Sequence, residues 1–151
     1  MKRRWAILGL ILIPTIAAAA AQIQLRPGEY EVALEIDRTV SRGAHYEAGF
    51  NKDKKVECFT ADQLKGPAEI AKLFASEADE ANCTKSDVKT TGNRMTITTT
   101  CQDRGVRTAL KSEFTFGRDL IAILTEVRDG TGTADTIRIT AKRIGACKKA
   151  P

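Results

Sequence analysis

The chain has little that could bind a metal: it contains a single histidine and four cysteines in 151 residues. The cysteines are Cys58, Cys83, Cys101 and Cys147, and no two of them have the C-x-x-C spacing that is common in zinc sites. No glycine-rich loop with a following lysine is present, and no serine stands in a nucleophile-elbow sequence. The sequence therefore predicts no metal and no cofactor.

Long apolar runs are absent after the first 21 residues. Those residues begin with a basic Met1–Arg4, continue with an apolar run from Trp5 to Ile16, and end in five alanines up to Ala21. This order is typical of a secretory signal peptide, and the run falls short of the roughly 20 residues that span a bilayer. We predict a signal peptide at 1–21, a single disulfide-stapled β-rich domain at 22–151, export to the periplasm, and no membrane anchor after cleavage.

The mature chain also lacks a strong charge of either sign. The full sequence has 24 basic and 19 acidic residues, a net charge of +5. Removal of Lys2, Arg3 and Arg4 with the signal leaves 21 basic against 19 acidic residues, a net charge of +2. The basic character comes largely from the export signal, and we predict no nucleic-acid partner.

Four cysteines in an exported chain of this size predict two disulfides. Cys83 and Cys101 flank a segment whose centre, Thr91–Asn93, is a hairpin turn signal. A hairpin there brings both cysteines to the open end of one two-stranded ladder. By elimination Cys58 pairs with Cys147, which ties the last strand to the first third of the chain.

Alternating apolar residues predict strands in most of the chain. Glu29–Arg38 places Tyr30, Val32, Leu34 and Ile36 on one face. Residues 39–55 are polar and read either as a loose hairpin or as a long loop, followed by a short strand that ends at Phe59. Four further strands are predicted after Cys83, in the segments RMTITTTC, TALKSEFTF, DLIAILTEV and DTIRITAKRI.

One helical insertion is predicted around residues 60–80. Thr60 and Gln63 have capping-box spacing, and Pro67 suits the first position of a helix with Ile70 and Phe74 on one face. We predict a mainly β (α+β) fold, an antiparallel meander of about seven strands. The sequence does not distinguish a curved open sheet from a small barrel.

Four motifs, in this order, resemble the domain-of-unknown-function 3617 family, small exported proteins of Gram-negative bacteria. They are LRPGEYEV from Leu25, VECFTADQL from Val56, TGNRMTITTTC from Thr91 and KRIGACK from Lys142. The resemblance covers nearly all of the mature chain. It implies an exported protein with disulfides and no particular chemistry.

Three polar features are candidates for chemistry or binding, and each has a simpler interpretation. His45, with Glu47 on the same face, could act as a general base or ligand, yet a lone histidine in a polar loop is more often solvated. The segment around Gly130, with Asp129, Thr131 and Asp135, lacks the acidic pattern of a calcium loop and favours a hairpin turn. The lysines near a Cys58–Cys147 bridge could form an anionic-surface contact, but a solvated rim is favoured; they are Lys52, Lys54, Lys55, Lys148 and Lys149.

The sequence favours a non-enzymatic binding module as the function of this protein. We expect a monomer that holds a small apolar ligand or envelope component against an apolar sheet face. The predicted ligand-binding residues are Tyr30, Phe50, Phe114 and Phe116. The alternatives are a structural or protein-interaction component of the cell envelope and, less favoured, a small hydrolase centred on His45.

Overall fold

The structure, a computed structural model, describes residues 24–42, 45–74 and 83–148. The predicted signal peptide at 1–21 therefore lies outside the described residues. Seven strands and one helix follow one another: β1 (Gly28–Arg42), β2 (His45–Phe59), α1 (Pro67–Phe74), β3 (Cys83–Thr91), β4 (Arg94–Asp103), β5 (Val106–Phe116), β6 (Leu120–Asp129) and β7 (Thr133–Gly145).

All seven strands form one antiparallel sheet in the order β2-β1-β7-β6-β5-β4-β3. Strands β3 to β7 make a continuous meander, and the β1–β2 hairpin joins it where β1 pairs with β7. In the described part of the chain the sheet stays open, with β2 and β3 at its edges. The predicted antiparallel meander is confirmed, and the structure corresponds to the curved sheet rather than to the barrel.

The first hairpin is much longer than the alternation of the sequence suggests. β1 and β2 pair in register from Gly28 opposite Phe59 to Arg42 opposite His45, so the polar stretch 39–55 belongs to two strands. β2 is an edge strand, and its polar side chains need no apolar alternation because they remain in water. Cross-strand ion pairs support them instead, as between Lys52 and Glu35, with 2.7 Å between Nζ and Oε1.

Helix α1 packs on one face of the sheet, which we call the inner face and define by Tyr30, Phe114 and Ile121. Its Ile70 is fully buried among these side chains. The capping box before the helix forms as predicted: the Thr60 backbone N–H donates to Gln63 Oε1 at 2.8 Å, and the Gln63 N–H donates to Thr60 Oγ1 at 3.4 Å. Helix α1 ends at Phe74, and residues 75–80 of the predicted helical insertion lie outside the described residues.

The segment before β1 is fastened to the β5–β6 turn at the same end of the sheet. The Arg26 guanidinium donates two hydrogen bonds to the Asp119 carboxylate, one of them 2.7 Å long from Nε to Oδ1. The Tyr30 hydroxyl donates to the Arg26 carbonyl at 2.6 Å, and Arg143 Nε donates to the Pro27 carbonyl at 3.0 Å. The motif that carries the family resemblance at this end of the chain thus forms a structural latch.

Gly28 has to be glycine in this latch. Its φ is +151°, and an added Cβ would lie 2.2 Å from the carbonyl oxygen of Gly145. Such a contact forces the backbone to move, because real Cβ atoms essentially never come so close. The pairing of β1 with β7 therefore depends on the absence of a side chain at this position.

The two disulfides join the cysteines that the sequence analysis paired. Cys58 on β2 bonds Cys147, which follows β7, with the Cα atoms 5.6 Å apart. Cys83 and Cys101 are directly opposite each other on β3 and β4, with their Cα atoms 4.0 Å apart. Among the residues that the structure describes, no helix is long and apolar enough to cross a membrane.

Candidate functional site: a cavity on the inner face

Helix α1 covers only part of the inner face, because it is eight residues long and the strands beneath it have ten or more. Beside the helix the sheet borders a cavity of about 570 Å³. Ala71 and Phe74 of α1 form one side, and the disulfide-bonded Cys83 and Cys101 form another. The cavity therefore lies between the helix, the sheet and the β3–β4 end.

The cavity floor consists of rows of side chains that lie directly opposite one another on β4, β5, β6 and β7. One row is Ile97, Ser112, Thr125 and Ile137. The neighbouring row, nearer α1, contributes Phe114, Ile123 and Ile139. Alternation along each strand puts these residues on the inner face, so the floor follows directly from the strand registers.

Two hydroxyls lie in the middle of this apolar floor. Ser112 Oγ and Thr125 Oγ1 are 2.9 Å apart, and either one can be the donor. Each hydroxyl has one proton and two lone pairs, so a single bond between them leaves hydrogen-bonding capacity on both. The floor can therefore bind an apolar molecule and also one polar group of that molecule.

No side chain that lines the cavity in the described part of the chain is ionisable, since its two cysteines are in a disulfide. One step farther along the inner face, Arg38 Nε and Nη2 donate to the two carboxylate oxygens of Asp135 at 2.9 and 2.7 Å. This hydrogen bond raises the pKa of Arg38. Asp135 is two residues from Ile137 on β7, and its negative charge is neutralised by Arg38 on the neighbouring strand β1.

A second depression, of about 520 Å³, borders the opposite face of the sheet, which we call the outer face. Charged residues are prominent in its lining, which includes Arg94, Glu113 and Arg138. The Lys111 ammonium already pairs with Glu113 at 2.7 Å, and Arg138 pairs with Asp37. The apolar lining distinguishes the inner cavity as the better small-molecule site.

The structure separates the four aromatic residues that were predicted to bind a ligand. Tyr30, Phe114 and Phe116 belong to the buried core, and of these only Phe114 borders the cavity. Burial raises the pKa of the Tyr30 hydroxyl. Phe50 is 58% exposed on β2, where register places it on the outer face with Lys52 Nζ 5.0 Å from its ring centre. Ligand contact by these residues stays a prediction.

Sequence reasoning missed Ser112 and Thr125. A signal was available, since each is a polar residue at an inner-face position of an otherwise apolar alternation. Ser112 lies between Leu110 and Phe114, and Thr125 follows Ile123 by two residues. A hydroxyl at such a position indicates either a partner in the core or a binding site.

His45 begins β2, but its side chain lies outside the part that the structure describes. Glu47 is exposed on the same strand. Within the described residues no group of three or more histidine, cysteine, aspartate or glutamate side chains could hold a metal ion. A catalytic role for His45 stays a prediction.

The predicted lysine cluster is a set of ion pairs along β2 and the chain end. Lys54 pairs with Glu31 at 2.7 Å, Lys55 with Glu57 at 2.8 Å, and Lys148 lies 3.9 Å from Glu29. Lys52 pairs with Glu35 as described above, and residue 149 lies outside the described part. Acidic neighbours thus accompany each of these four lysines.

Asp129 stabilises the turn before β7. Its Oδ1 accepts hydrogen bonds from the backbone N–H groups of Thr131 at 2.8 Å and Thr133 at 2.9 Å. The bond from Thr133 is the main reason why the pKa of this carboxyl is lowered. This arrangement is that of a turn capped by its own aspartate, as the hairpin interpretation expects.

Comparisons with known proteins identify a family. No curated protein matches the chain. Among solved structures, the chain is similar to the YwiB protein from Bacillus subtilis, with 8% identity over 77% of this chain and 93% of that one and a TM-score of 0.29, which establishes no common fold. The family model described as "Protein of unknown function (DUF3617)" matches residues 25–147, from the latch segment to the second cysteine of the long disulfide. The chain belongs to the DUF3617 family.

Proposed function

We propose that this protein is a monomeric, non-enzymatic binding module of the periplasm that holds a small, mainly apolar ligand in the inner-face cavity. The observation that carries the proposal is the cavity itself, about 570 Å³ with an apolar floor and a pair of hydroxyls at its centre. Small-molecule sites commonly have volumes of roughly 300–1,000 Å³, apolar walls and a few placed polar groups.

A ligand would complete the packing that α1 leaves unfinished. Protein interiors are close-packed, and voids larger than a water molecule are few. Within the described residues, side chains such as Ile97, Leu110 and Ile137 have open space on their cavity side. An apolar molecule there would gain dispersion contacts and remove apolar surface from water. Burial of apolar surface thus provides the free energy of binding.

Two observations support the periplasm as the location. The signal-like residues 1–21 predict export, and both cysteine pairs form disulfides, which persist mainly in oxidising compartments. A periplasmic protein has access to envelope lipids and to their breakdown products. The acyl chains of these molecules are apolar, as is the floor of the cavity.

The test is native mass spectrometry of the exported protein with both disulfides intact. We expect a co-purifying adduct, which Leu110→Trp should displace by filling the cavity from β5. The matched control is Ala109→Trp, the adjacent residue on the outer face of the same strand, which should keep the adduct. An apo mass for the unmodified protein, together with no response to a lipid panel, would contradict the proposal.

A second candidate function, protein interaction in the envelope, is favoured by two exposed aromatic residues. Tyr46 is 67% and Phe50 58% exposed on the edge strand β2, where unpaired backbone groups could receive a strand from a partner. Photo-crosslinking from position 46 in living cells distinguishes the two: one reproducible partner that disappears when Phe50 is replaced by serine would favour the interaction role.

The less favoured hydrolase depends entirely on His45. A His45→Ala protein that keeps its phenotype in cells that require it would remove the only candidate base. Loss of the phenotype in a folded His45→Ala protein would favour the enzyme over the binding module.

A further inference from the structure

We infer that the ligand is a neutral amphiphile, an apolar chain or ring with one uncharged hydroxyl or carbonyl group that binds at Ser112 and Thr125. This inference rests on the proposed function and specifies the class of molecule. It follows from three features of the cavity: the lack of charge among its described lining side chains, its paired hydroxyls and the ion pair at its border.

The lack of charge excludes an ionised group from the cavity floor. Transfer of a carboxylate or an ammonium from water into an apolar site is very costly unless an opposite charge pairs with it. The lining side chains of the described residues offer only apolar groups, hydroxyls and a disulfide. An uncharged polar group avoids this desolvation cost.

The hydroxyl pair requires a polar group on the ligand. Only one of the two protons is used when Ser112 and Thr125 bond each other at 2.9 Å, so the other hydroxyl can donate to a ligand oxygen. A pure hydrocarbon over this pair would remove water without replacing its hydrogen bonds, which costs free energy. A ligand hydroxyl or carbonyl satisfies the pair.

Among the described side chains in the row beyond Ile137, Arg38 is a cation that could attract an acidic head group. Its Nε and Nη2 both donate to Asp135, whose side chain is only 11% exposed. An anion that approached Arg38 would therefore meet a neighbouring carboxylate. The pair does not make the cavity border attractive to anions.

Competition binding with ligands of equal chain length tests this inference. The probe is the neutral fluorophore N-phenylnaphthylamine, and the competitors at neutral pH are decanol, decanoate and decylammonium. We expect decanol to displace the probe at concentrations at least roughly tenfold lower than the two ions, because each ion must leave its head group in water or lose its hydration.

The hydroxyl pair is tested with Ser112→Ala and with Thr125→Val. Each should weaken decanol roughly tenfold, the contribution of about one neutral hydrogen bond, and should leave probe affinity nearly unchanged. The control is Thr115→Val, which removes a threonine hydroxyl from the outer face of β5. It should change neither affinity.

The outcomes separate this inference from the proposed function. Decanoate that binds as well as decanol overturns the inference and leaves the binding module standing; if Arg38→Gln then abolishes that binding, the arginine is the anion contact. If Ser112→Ala and Thr125→Val bind decanol as tightly as the parent protein and the Thr115→Val control do, the role of the two hydroxyls is overturned. A protein that binds neither the probe nor any competitor overturns both the inference and the proposed function.

Discussion

Replacement of Cys58 and Cys147 together by alanine removes a cross-link that spans 89 residues of sequence, whereas the Cys83–Cys101 bond spans only 18. A disulfide stabilises mainly by restricting the unfolded chain, and the effect grows with the logarithm of the closed loop. On this basis the long bridge contributes about 4.6 kcal/mol and the short one about 3.2 kcal/mol. We expect the free energy of unfolding to fall by about 1.4 kcal/mol more for the loss of the long bridge.

Urea unfolding of the two double-alanine proteins measures this difference. The slope of the free energy against urea has to be fitted for each protein, because loss of a cross-link exposes more surface in the unfolded state. Equal losses, or a greater loss for the Cys83–Cys101 pair, would refute the loop-entropy reasoning. Such a result would assign the stabilising effect to packing around the β3–β4 end instead.

Three further predictions concern the latch and the helix. Gly28→Ala should lower the free energy of unfolding by about 1–3 kcal/mol, because the new Cβ meets a backbone carbonyl at a positive φ. The control is Gly49→Ala, whose added Cβ has no atom within 4 Å, and it should cost much less in the same thermal melts. The hydrogen bond from Arg26 lowers the pKa of Asp119 in the folded protein. The ionised Asp119 therefore stabilises the fold at pH values above its pKa in the unfolded chain, and this stabilisation is lost as the pH falls through its pKa in the folded protein. Asp119→Asn should therefore be less stable than the parent near neutral pH, and the two should converge in acid; a constant difference across a pH series of unfolding curves would disprove the coupling. Ile70→Ala should cost about 2–5 kcal/mol by leaving a void between α1 and the sheet, and a cost below 1 kcal/mol in urea unfolding would show that the helix is loosely held.

The strands of the meander were predictable because their two faces differ strongly. In β5 the inner positions carry Leu110, Phe114 and Phe116, the outer ones carry Lys111 and Glu113, and the alternation reports the buried face directly. β6 is apolar on both faces from Leu120 to Leu124, so its sequence predicts a strand without indicating which face is buried. The hairpin turn between β3 and β4 also fixed one disulfide, and the second followed by elimination. Local signals and the small number of cysteines were sufficient for these features.

The first hairpin was only partly predictable because an edge strand need not alternate. The run from Asn51 to Lys55 is polar throughout, and nothing local shows that it pairs with the whole length of β1. Its strand conformation depends on the partner, through backbone hydrogen bonds and ion pairs such as Lys54 with Glu31. Tertiary context decides here, and local propensity does not.

The cavity was not predictable from the sequence because its size depends on how much of the inner face α1 leaves uncovered. Aromatic residues were natural ligand candidates, yet Tyr30 and Phe116 are used to pack the helix and the latch. Ser112 and Thr125 became candidates only when strand register placed them side by side. A site that arises from register across four strands has no signature within any one of them.

The pairing of β1 with β7 makes the order of synthesis important for this protein. β1 is made first and its partner last, and the contact between Asp37 and Arg138 joins residues that are 101 positions apart. Until β7 emerges, the β1–β2 hairpin and the strands from β3 to β6 are two fragments with no shared ladder, each with an open edge that invites pairing with other chains. Such high contact order predicts slow folding, in which Cys83 and Cys101 can be oxidised early while Cys58 waits for Cys147. A chain of this topology therefore cannot complete its sheet until its last strand has been released.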